Sequence, residues 1–455
     1  MSSSRQDRLN RDWTQGNIFR NLLSLSWPII ITMSFNILGP VIDMFWVAKL
    51  GAASIAGVGV AGMAVIVVTS ARMGFAVGTR AIVARYMGTG DTTGANHVAQ
   101  QAFIISAIYS VTMATIGVLF TESIMNLFGL EPDVIAVGSA YMRVQFIGTV
   151  AMAFRLMAEG IMQASGDTLT PMRITISFRV LHAVISPLFI FGVFFFPKLG
   201  VSGAALANVL SQSVGGIIGF WVLFSGRSRL KLTLRNFQVD FGVIWRVVKI
   251  GIPAAIMSME RSFGDLVLMW FMSPFGTLAV AGHALVQRVE AVLRMPCMGL
   301  GHGSGVLVGQ NLGAGQAERA EKSGWLAGLL SQGFAILIFL VVMLFAEGII
   351  SLFNSEPEVV ELASKFLRIA SAGYLFMGLY FTMQNSISGS GDTLPTMLVT
   401  LINFWVVQVF LAFILSRYTD MGMYGVRWAI VIGWVVGAIA YSIYFRMGRW
   451  KRKTV

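Results

Sequence analysis

Gly166-Asp167-Thr168-Leu169 recurs as Gly391-Asp392-Thr393-Leu394, and the shift of 225 residues holds along the chain. At that shift Trp27-Pro28 meets Ile252-Pro253, and Gly51 with Ala56-Gly57 meets Gly276 with Ala281-Gly282. Gly88-Thr89-Gly90 meets Gly313-Ala314-Gly315, and Phe128 with Glu131-Pro132 meets Phe353 with Glu356-Pro357. One offset kept through five separated matches marks an internal duplication.

The repeated unit is apolar. Of 455 residues, 56% are hydrophobic and 12% charged, with mean hydropathy +0.75, where a soluble domain carries about 25% charge. Runs of roughly 20 apolar residues, long enough to cross a bilayer as helix, recur throughout. They do not alternate in polarity as barrel strands would. Twelve spans are expected, at 21–47, 53–77, 95–120, 134–164, 170–196, 200–224, 246–272, 277–304, 322–346, 358–388, 394–416 and 423–445. The fold class is therefore an all-α polytopic membrane protein of two six-helix lobes.

Six spans per lobe return the chain to the same side, so the halves insert in one orientation. That arrangement belongs to transporters that rock two bundles around a central site. The expected parts are an N-terminal segment 1–20, an N-lobe 21–225, a basic linker 226–245, a C-lobe 246–445 and a basic tail 446–455.

Net charge is +12. The basic residues gather beside apolar runs, at Arg5, Arg8, Arg11 and Arg20, between Arg227 and Lys249, and from Arg446 to Lys453. There they set topology, and their bias to one side predicts both termini in the cytoplasm. No nucleic-acid partner is expected. The lone Cys297 excludes intramolecular disulfides and cysteine metal clusters. The polar start, Ser2 to Gln15, lacks the apolar core of a signal peptide, so the first span is expected to act as the insertion signal.

Ionisable residues inside the spans are the candidates for function. An ionised Asp at the centre of a spanning helix costs about 2.5–3.5 kcal/mol on insertion scales, so such groups usually face a polar cavity. Asp43, in Asn36-Ile37-Leu38-Gly39-Pro40-Val41-Ile42-Asp43, is the first. Either it has such a role, or it lies near enough to the helix end to reach interfacial water. Arg155 and Glu159 stand four apart and form either a structural pair or part of a site. His182 is either a satisfied interior histidine or a proton relay.

In the second half Arg261 with Asp265, and Glu290 with Arg294, are spaced as intrahelical pairs. Glu260 has no basic residue three or four positions on. The repeat sets Asp43 against Leu268 and Glu260 against Phe35, so the lobes have diverged. Gly88-x-Gly90-x-x-x-Gly94 follows no strand and lacks the Lys-Ser/Thr of a phosphate loop. No metal-ligand spacing, nucleophile arrangement or ATPase motif stands out; no enzyme activity and no cofactor are expected. Uphill transport would then draw on an ion gradient. Twenty-six Met and 33 Phe suit lipid-facing packing and also adaptable cavity walls.

These residues together resemble the multidrug and toxic compound extrusion (MATE) family. The resemblance rests on Pro28 followed by Asp43-x-x-x-Val47, the two Gly-Asp-Thr copies, and Val308-Gly309-Gln310-Asn311-Leu312-Gly313-Ala314-Gly315. It runs from about Ile18 to Arg446. It implies antiport of drugs against H⁺ or Na⁺, with Asp43 as the ion-coupling residue of the N-lobe and Pro28 as the point where the first helix bends. It also implies that Asn36, Tyr141 and Glu159 line the same pocket. Two positions depart from the pattern: His182 and Ser186 stand where many relatives carry Asn and Asp of a Na⁺ site, and Asn208 where Thr is common. An imidazole in place of a carboxylate favours protons.

In the C-lobe, Glu260 or Asp265 matches an acid that binds cations in some relatives, but 370–390 holds no acid. Glu260, Asp265 and Glu290, with Tyr141, are expected to line the substrate cavity. The reading is an inner-membrane, monomeric exporter of cationic or amphipathic organic compounds, in contact with lipid. A lipid-linked saccharide flippase is the rival, and would need Arg155, Arg179, Arg261, Arg288 and Arg294 to form a basic cavity.

Overall fold

A computed structural model describes residues 11–193, 196–235 and 237–455; of the expected segment 1–20, residues 1–10 lie outside them. Among the described residues the chain is helical, without strands. The first half holds α1 (Ile18–Val47), α2 (Ala52–Thr69), α3 (Arg72–Thr89), α4 (Thr92–Leu119) and a short α5 (Thr121–Asn126). It continues with α6 (Pro132–Ser165), α7 (Leu169–Phe191) and α8 (Val201–Phe224). The second half holds α9 (Phe241–Met272), α10 (Thr277–Leu293), α11 (Met295–Gly313), α12 (Ala317–Ser351) and α13 (Pro357–Gly389). It ends with α14 (Thr393–Ile402), a π-helical turn at Asn403–Val409, α15 (Phe410–Arg417) and α16 (Met423–Met447).

Among the described residues eleven helical segments are long and apolar enough to cross a membrane. The one expected span missing from these is the eighth, α10 with α11, broken at Arg294, where neither piece meets that standard alone. Its counterpart in the first half is α2 with α3, broken at Ser70-Ala71.

Two expected boundaries are corrected. The second span was expected to end at 77 and the eighth at 304, yet the helices run on to Thr89 and Gly313. Hydropathy marks where the bilayer ends; helical hydrogen bonding continues past it. The stretches left between the expected spans, 78–94 and 305–321, are therefore mostly helix, with a tight turn in each. The duplication is visible in their backbone. Gly166, which caps α6, and Gly391, which follows α13, both stand at φ +94°, and Gly90 and Gly315 turn the chain at +81° and +73°, conformations that cost other residues heavily.

The chain forms two compact units, and neither boundary falls in the linker. One unit contains Ile31–Ala255, the other Trp13–Ile30 with Ile256–Val455. Both cuts lie inside the first helix of a repeat, each two residues past a proline, Pro28 and Pro253. The helix stays unbroken through both prolines.

Within the first unit, α3 lies directly on the start of α9: a Cβ on Gly74 would sit 2.1 Å from the Ala255 nitrogen. Within the second, α11 lies on the start of α1, where a Cβ on Gly299 would sit 2.3 Å from Ile30 Cγ1. Gly74 and Gly299 are repeat equivalents, each followed four residues on by another glycine, the small-xxx-small pattern of close helix pairs in membranes.

The segment 226–245 lies in the first unit, pinned to α4. Asn96 Oδ1 accepts from the Thr233 backbone (2.9 Å), and Gln101 both donates to Gln238 O (2.8 Å) and accepts from the Asp240 backbone (3.1 Å).

Candidate functional site

In the first unit four helices bring one carboxylate and its hydrogen-bond donors together. Asp43 stands in the last turns of α1 and is 1% exposed. His182 Nε2 on α7 lies 3.0 Å from Asp43 Oδ1, while Tyr141 OH on α6 (3.1 Å) and Asn208 Nδ2 on α8 (3.3 Å) both donate to Oδ2. All three partners are buried. A buried carboxylate costs far less when its lone pairs are taken by such donors.

His182 Nδ1 has no partner among the described residues. The assignment that leaves no N–H orphaned is the neutral ring with its proton on Nε2, given to Asp43.

Polar contacts extend outward from this centre. Gln145 Nε2 donates to Tyr141 OH (2.8 Å), and Gln212 Nε2 donates to Asn208 Oδ1 (2.8 Å). Arg155 Nε then donates to Gln212 Oε1 (3.3 Å) while its Nη1 pairs with Glu159 Oε2 (2.9 Å), whose other oxygen accepts from Gln163 (3.1 Å). The spacing on α6 and α8 explains it: Tyr141/Gln145, Arg155/Glu159/Gln163 and Asn208/Gln212 each stand four apart, one above another on a helix face. Arg179 donates to the backbone oxygen of Asn36 (3.2 Å), and both Arg155 and Arg179 lie over the Phe178 ring.

Of the residues expected around Asp43, the structure places His182, Asn208 and Tyr141 in direct contact. Glu159 reaches it only through Arg155, Gln212 and Asn208. Among the described residues Asn36 Oδ1 and Ser186 Oγ make no hydrogen bond, although Ser186 is fully buried. Gln145 and Gln212 were not foreseen; amides carry no charge to betray them in an apolar run.

In the second unit a cavity of about 90 Å³ is lined by Glu260, Arg261 and Asp265 from α9, Glu290 and Arg294, and Asn403 at the π-helical turn. Leu268, the repeat equivalent of Asp43, also lines it. The two expected intrahelical ion pairs are corrected here. Among the described residues neither Arg261–Asp265 nor Glu290–Arg294 forms a salt bridge. Glu290 Oε1 instead takes Arg427 Nη2 at 2.6 Å, a pair 6% and 0% exposed at the side chains. Spacing of four brings side chains near each other on a helix; it does not fix which partner they choose.

Arg427 Nη1 also lies 3.3 Å from His283 Nδ1. Arg427, near the start of α16 and inside the expected span 423–445, was not among the expected site residues. Where the first unit has Glu159, the repeat places Gln384, which donates to Thr400 and Tyr441 (3.2 and 3.1 Å).

The MatE family model matches residues 28–188 and again 253–414, two copies whose starts lie 225 residues apart. The chain is similar to probable multidrug resistance protein YpnP of Bacillus subtilis, with 26% identity covering 97% of each chain. It is similar to probable multidrug resistance protein NorM of Thermotoga maritima, 27% identical over 96% of this chain and 94% of the relative. A FAD transporter of Shewanella oneidensis is 25% identical over 91% of each. Among solved structures, a MATE protein in a bent conformation superposes with TM-score 0.89 at 26% identity, covering 96% of both chains. A MOP superfamily transporter from Pyrococcus furiosus does so with TM-score 0.91 at 26% identity, covering 97% of this chain and 98% of that one. With both halves matched and the twelve-span duplication in place, the chain is a multi-pass membrane protein that belongs to the MatE family of multidrug and toxic compound extrusion transporters.

Proposed function

We propose that this chain is a proton-coupled antiporter of the inner membrane that expels cationic or amphipathic organic compounds by alternating access. Both termini lie in the cytoplasm on this reading, and the protein works as a monomer surrounded by lipid, with no cofactor besides the coupling ion. The observation that carries the proposal is Asp43: a buried carboxylate inside a spanning helix, held by donors from three other helices. Protonating it removes the charge those donors serve, so their geometry differs in value between the two states. Proton and substrate then each bias the conformation that binds them better.

The chemistry around Asp43 supports H⁺ over Na⁺. A hard cation is held by several oxygen ligands; here the carboxylate faces an imidazole, an amide N–H and a phenol O–H. Glu159, the other acid of that network, is already neutralised by Arg155. Pro28 removes one backbone hydrogen bond from α1 and gives that helix a point at which to bend.

Relatives are named for drugs and one for FAD, and the Pyrococcus furiosus transporter is described as having a pocket of reversed polarity. Family membership therefore leaves the cargo open, and the cavity walls decide it. Glu260 and Asp265 supply negative charge for a cationic cargo. Arg155 is paired, and Arg261 and Arg294 share their cavity with acids, which disfavours a flippase for pyrophosphate-linked sugars. Drug efflux from proteoliposomes under imposed H⁺ or Na⁺ gradients, in wild type and Asp43→Asn, tests the proposal.

A further inference from the structure

Pro40 stands three residues before Asp43 in α1 and has no amide proton to give. In a regular helix the residue at that position would donate to the backbone oxygen of Asn36. The helix nevertheless runs unbroken from Ile18 to Val47. Within a bilayer a carbonyl freed by proline must find another donor, and a neighbouring helix is one source. Here the donor is Arg179 of α7, whose Nη2 lies 3.2 Å from Asn36 O.

The surroundings are shaped for that contact. Arg179 is 7% exposed, and its Nε and Nη1 have no partner among the described residues. The bond to Asn36 O is therefore the one hydrogen bond of this guanidinium among the described residues, and the Phe178 ring lies 4.9 Å from its Cζ. Gly39 makes the room, since a Cβ there would sit 2.3 Å from Nη1 and 2.7 Å from Cζ. One short stretch thus combines a carbonyl that has lost its amide with a glycine that admits the replacement donor. A cation placed inside a span is costly and calls for a role.

Arg179 and His182 stand three apart on one face of α7. They meet α1 at Asn36 and at Asp43, so α7 grips that helix on both sides of Pro40. We infer that Arg179 is a positioning residue for Asp43. It holds the turn that Pro40 weakens, and so keeps the carboxylate within reach of His182, Tyr141 and Asn208. Pro40 is then a compliant point of α1 separate from Pro28, and Arg179 is what stiffens it. Charge compensation alone does not explain the geometry. An arginine serving the carboxylate directly would turn its fork to it, whereas this one donates to a backbone oxygen about two turns away along α1. The inference rests on the reading of Asp43 as the coupling group.

The test is a cycle between Arg179→Met and Pro40→Ala, because alanine restores the amide that Asn36 O lacks. Hydrogen exchange at amides 41–47 of α1 is read on the purified full chain in detergent. Arg179→Met is expected to speed that exchange about 10- to 100-fold, the factor for losing a hydrogen bond from a charged group. Gly39→Ala, which displaces the guanidinium without removing it, should act in the same direction. In the double variant exchange should return to within about threefold of Pro40→Ala alone. H⁺-driven efflux from proteoliposomes should follow the same cycle, falling about tenfold in Arg179→Met and recovering when Pro40→Ala is added.

Unchanged exchange in Arg179→Met overturns the inference, and so does a loss that persists beside Pro40→Ala, which would mean that packing or charge is what Arg179 supplies. Wild-type efflux by Arg179→Met, with Asp43→Asn inactive, overturns the positioning role as well. Full efflux by Asp43→Asn would sink the coupling reading instead, and the exchange cycle, which involves no transport, would still decide whether Arg179 holds α1.

Discussion

Asp43 and Glu159 do not touch, yet an unbroken series of side-chain hydrogen bonds joins them: Asp43 to Asn208, Asn208 to Gln212, Gln212 to Arg155, Arg155 to Glu159. Every group between the two acids is buried. In a low-dielectric interior such a series polarises as a unit, and a change of charge at one end alters the value of each bond.

Gln212 is the link to cut. Gln212→Leu keeps the bulk but leaves Arg155 Nε and Asn208 Oδ1 without their partner, a loss of about 1–3 kcal/mol for each buried group left unsatisfied. Proton-driven efflux is expected to fall about tenfold or more. Combined with Glu159→Gln, the two losses should be non-additive, because both break the same series. Initial efflux rates from proteoliposomes give the cycle.

The Glu290–Arg427 pair makes a stability prediction. Removing one partner strands a charge that is 0% or 6% exposed, which typically costs about 3–5 kcal/mol. Arg427→Met alone should unfold far more readily than the double variant Glu290→Gln, Arg427→Met, which leaves no unpaired charge. Denaturant unfolding in detergent ranks the three proteins. A double variant no better than the single one would mean that Arg427 packing, not its charge, matters.

Close helix contact in the second unit is equally open to test. A Cβ on Gly389 would lie 2.3 Å from the Gly305 oxygen and 2.4 Å from its Cα, so α11 and α13 must separate to admit it. Gly389→Ala should destabilise by about 1–3 kcal/mol, as overpacking does. Gly333→Ala, which meets nothing within 4 Å, should be neutral or slightly stabilising in its helix. Thermal unfolding of the two variants separates them.

At the start of α9 Asp240 carries a pH signature. Its carboxylate accepts from the Val243 backbone (3.0 Å) and faces His97 Nε2 (3.1 Å). The Val243 hydrogen bond first, then His97, holds it below the ordinary aspartate value of 3.8. A depressed carboxylate contributes stability above its unfolded pKa and loses it as pH falls through the folded one. The wild type should therefore melt above Asp240→Ala at neutral pH, with the gap closing only below about pH 4.

The sequence carried the architecture because bilayer thickness and the repeat leave marks that need no tertiary information. Asp43 and His182 were legible for a related reason: a charge or imidazole in an apolar run is too costly to be idle. Gln145 and Gln212 were not, since an amide in a spanning helix looks much like background polarity until its neighbours are known. Glu290 shows the limit of local spacing. Its basic neighbour at 294 was in plain view, but the partner it takes lies 137 residues on, at Arg427. Likewise Glu159 was placed beside Asp43, whereas the fold interposes Arg155, Gln212 and Asn208 between them.

The most direct test of the account is drug efflux from proteoliposomes driven in turn by an imposed H⁺ gradient and an imposed Na⁺ gradient, with wild type and Asp43→Asn side by side. The account predicts efflux in the wild type under the H⁺ gradient, little under Na⁺ alone, and none above background in Asp43→Asn. Efflux by Asp43→Asn at the wild-type rate, or wild-type efflux that follows Na⁺ and ignores H⁺, would contradict it.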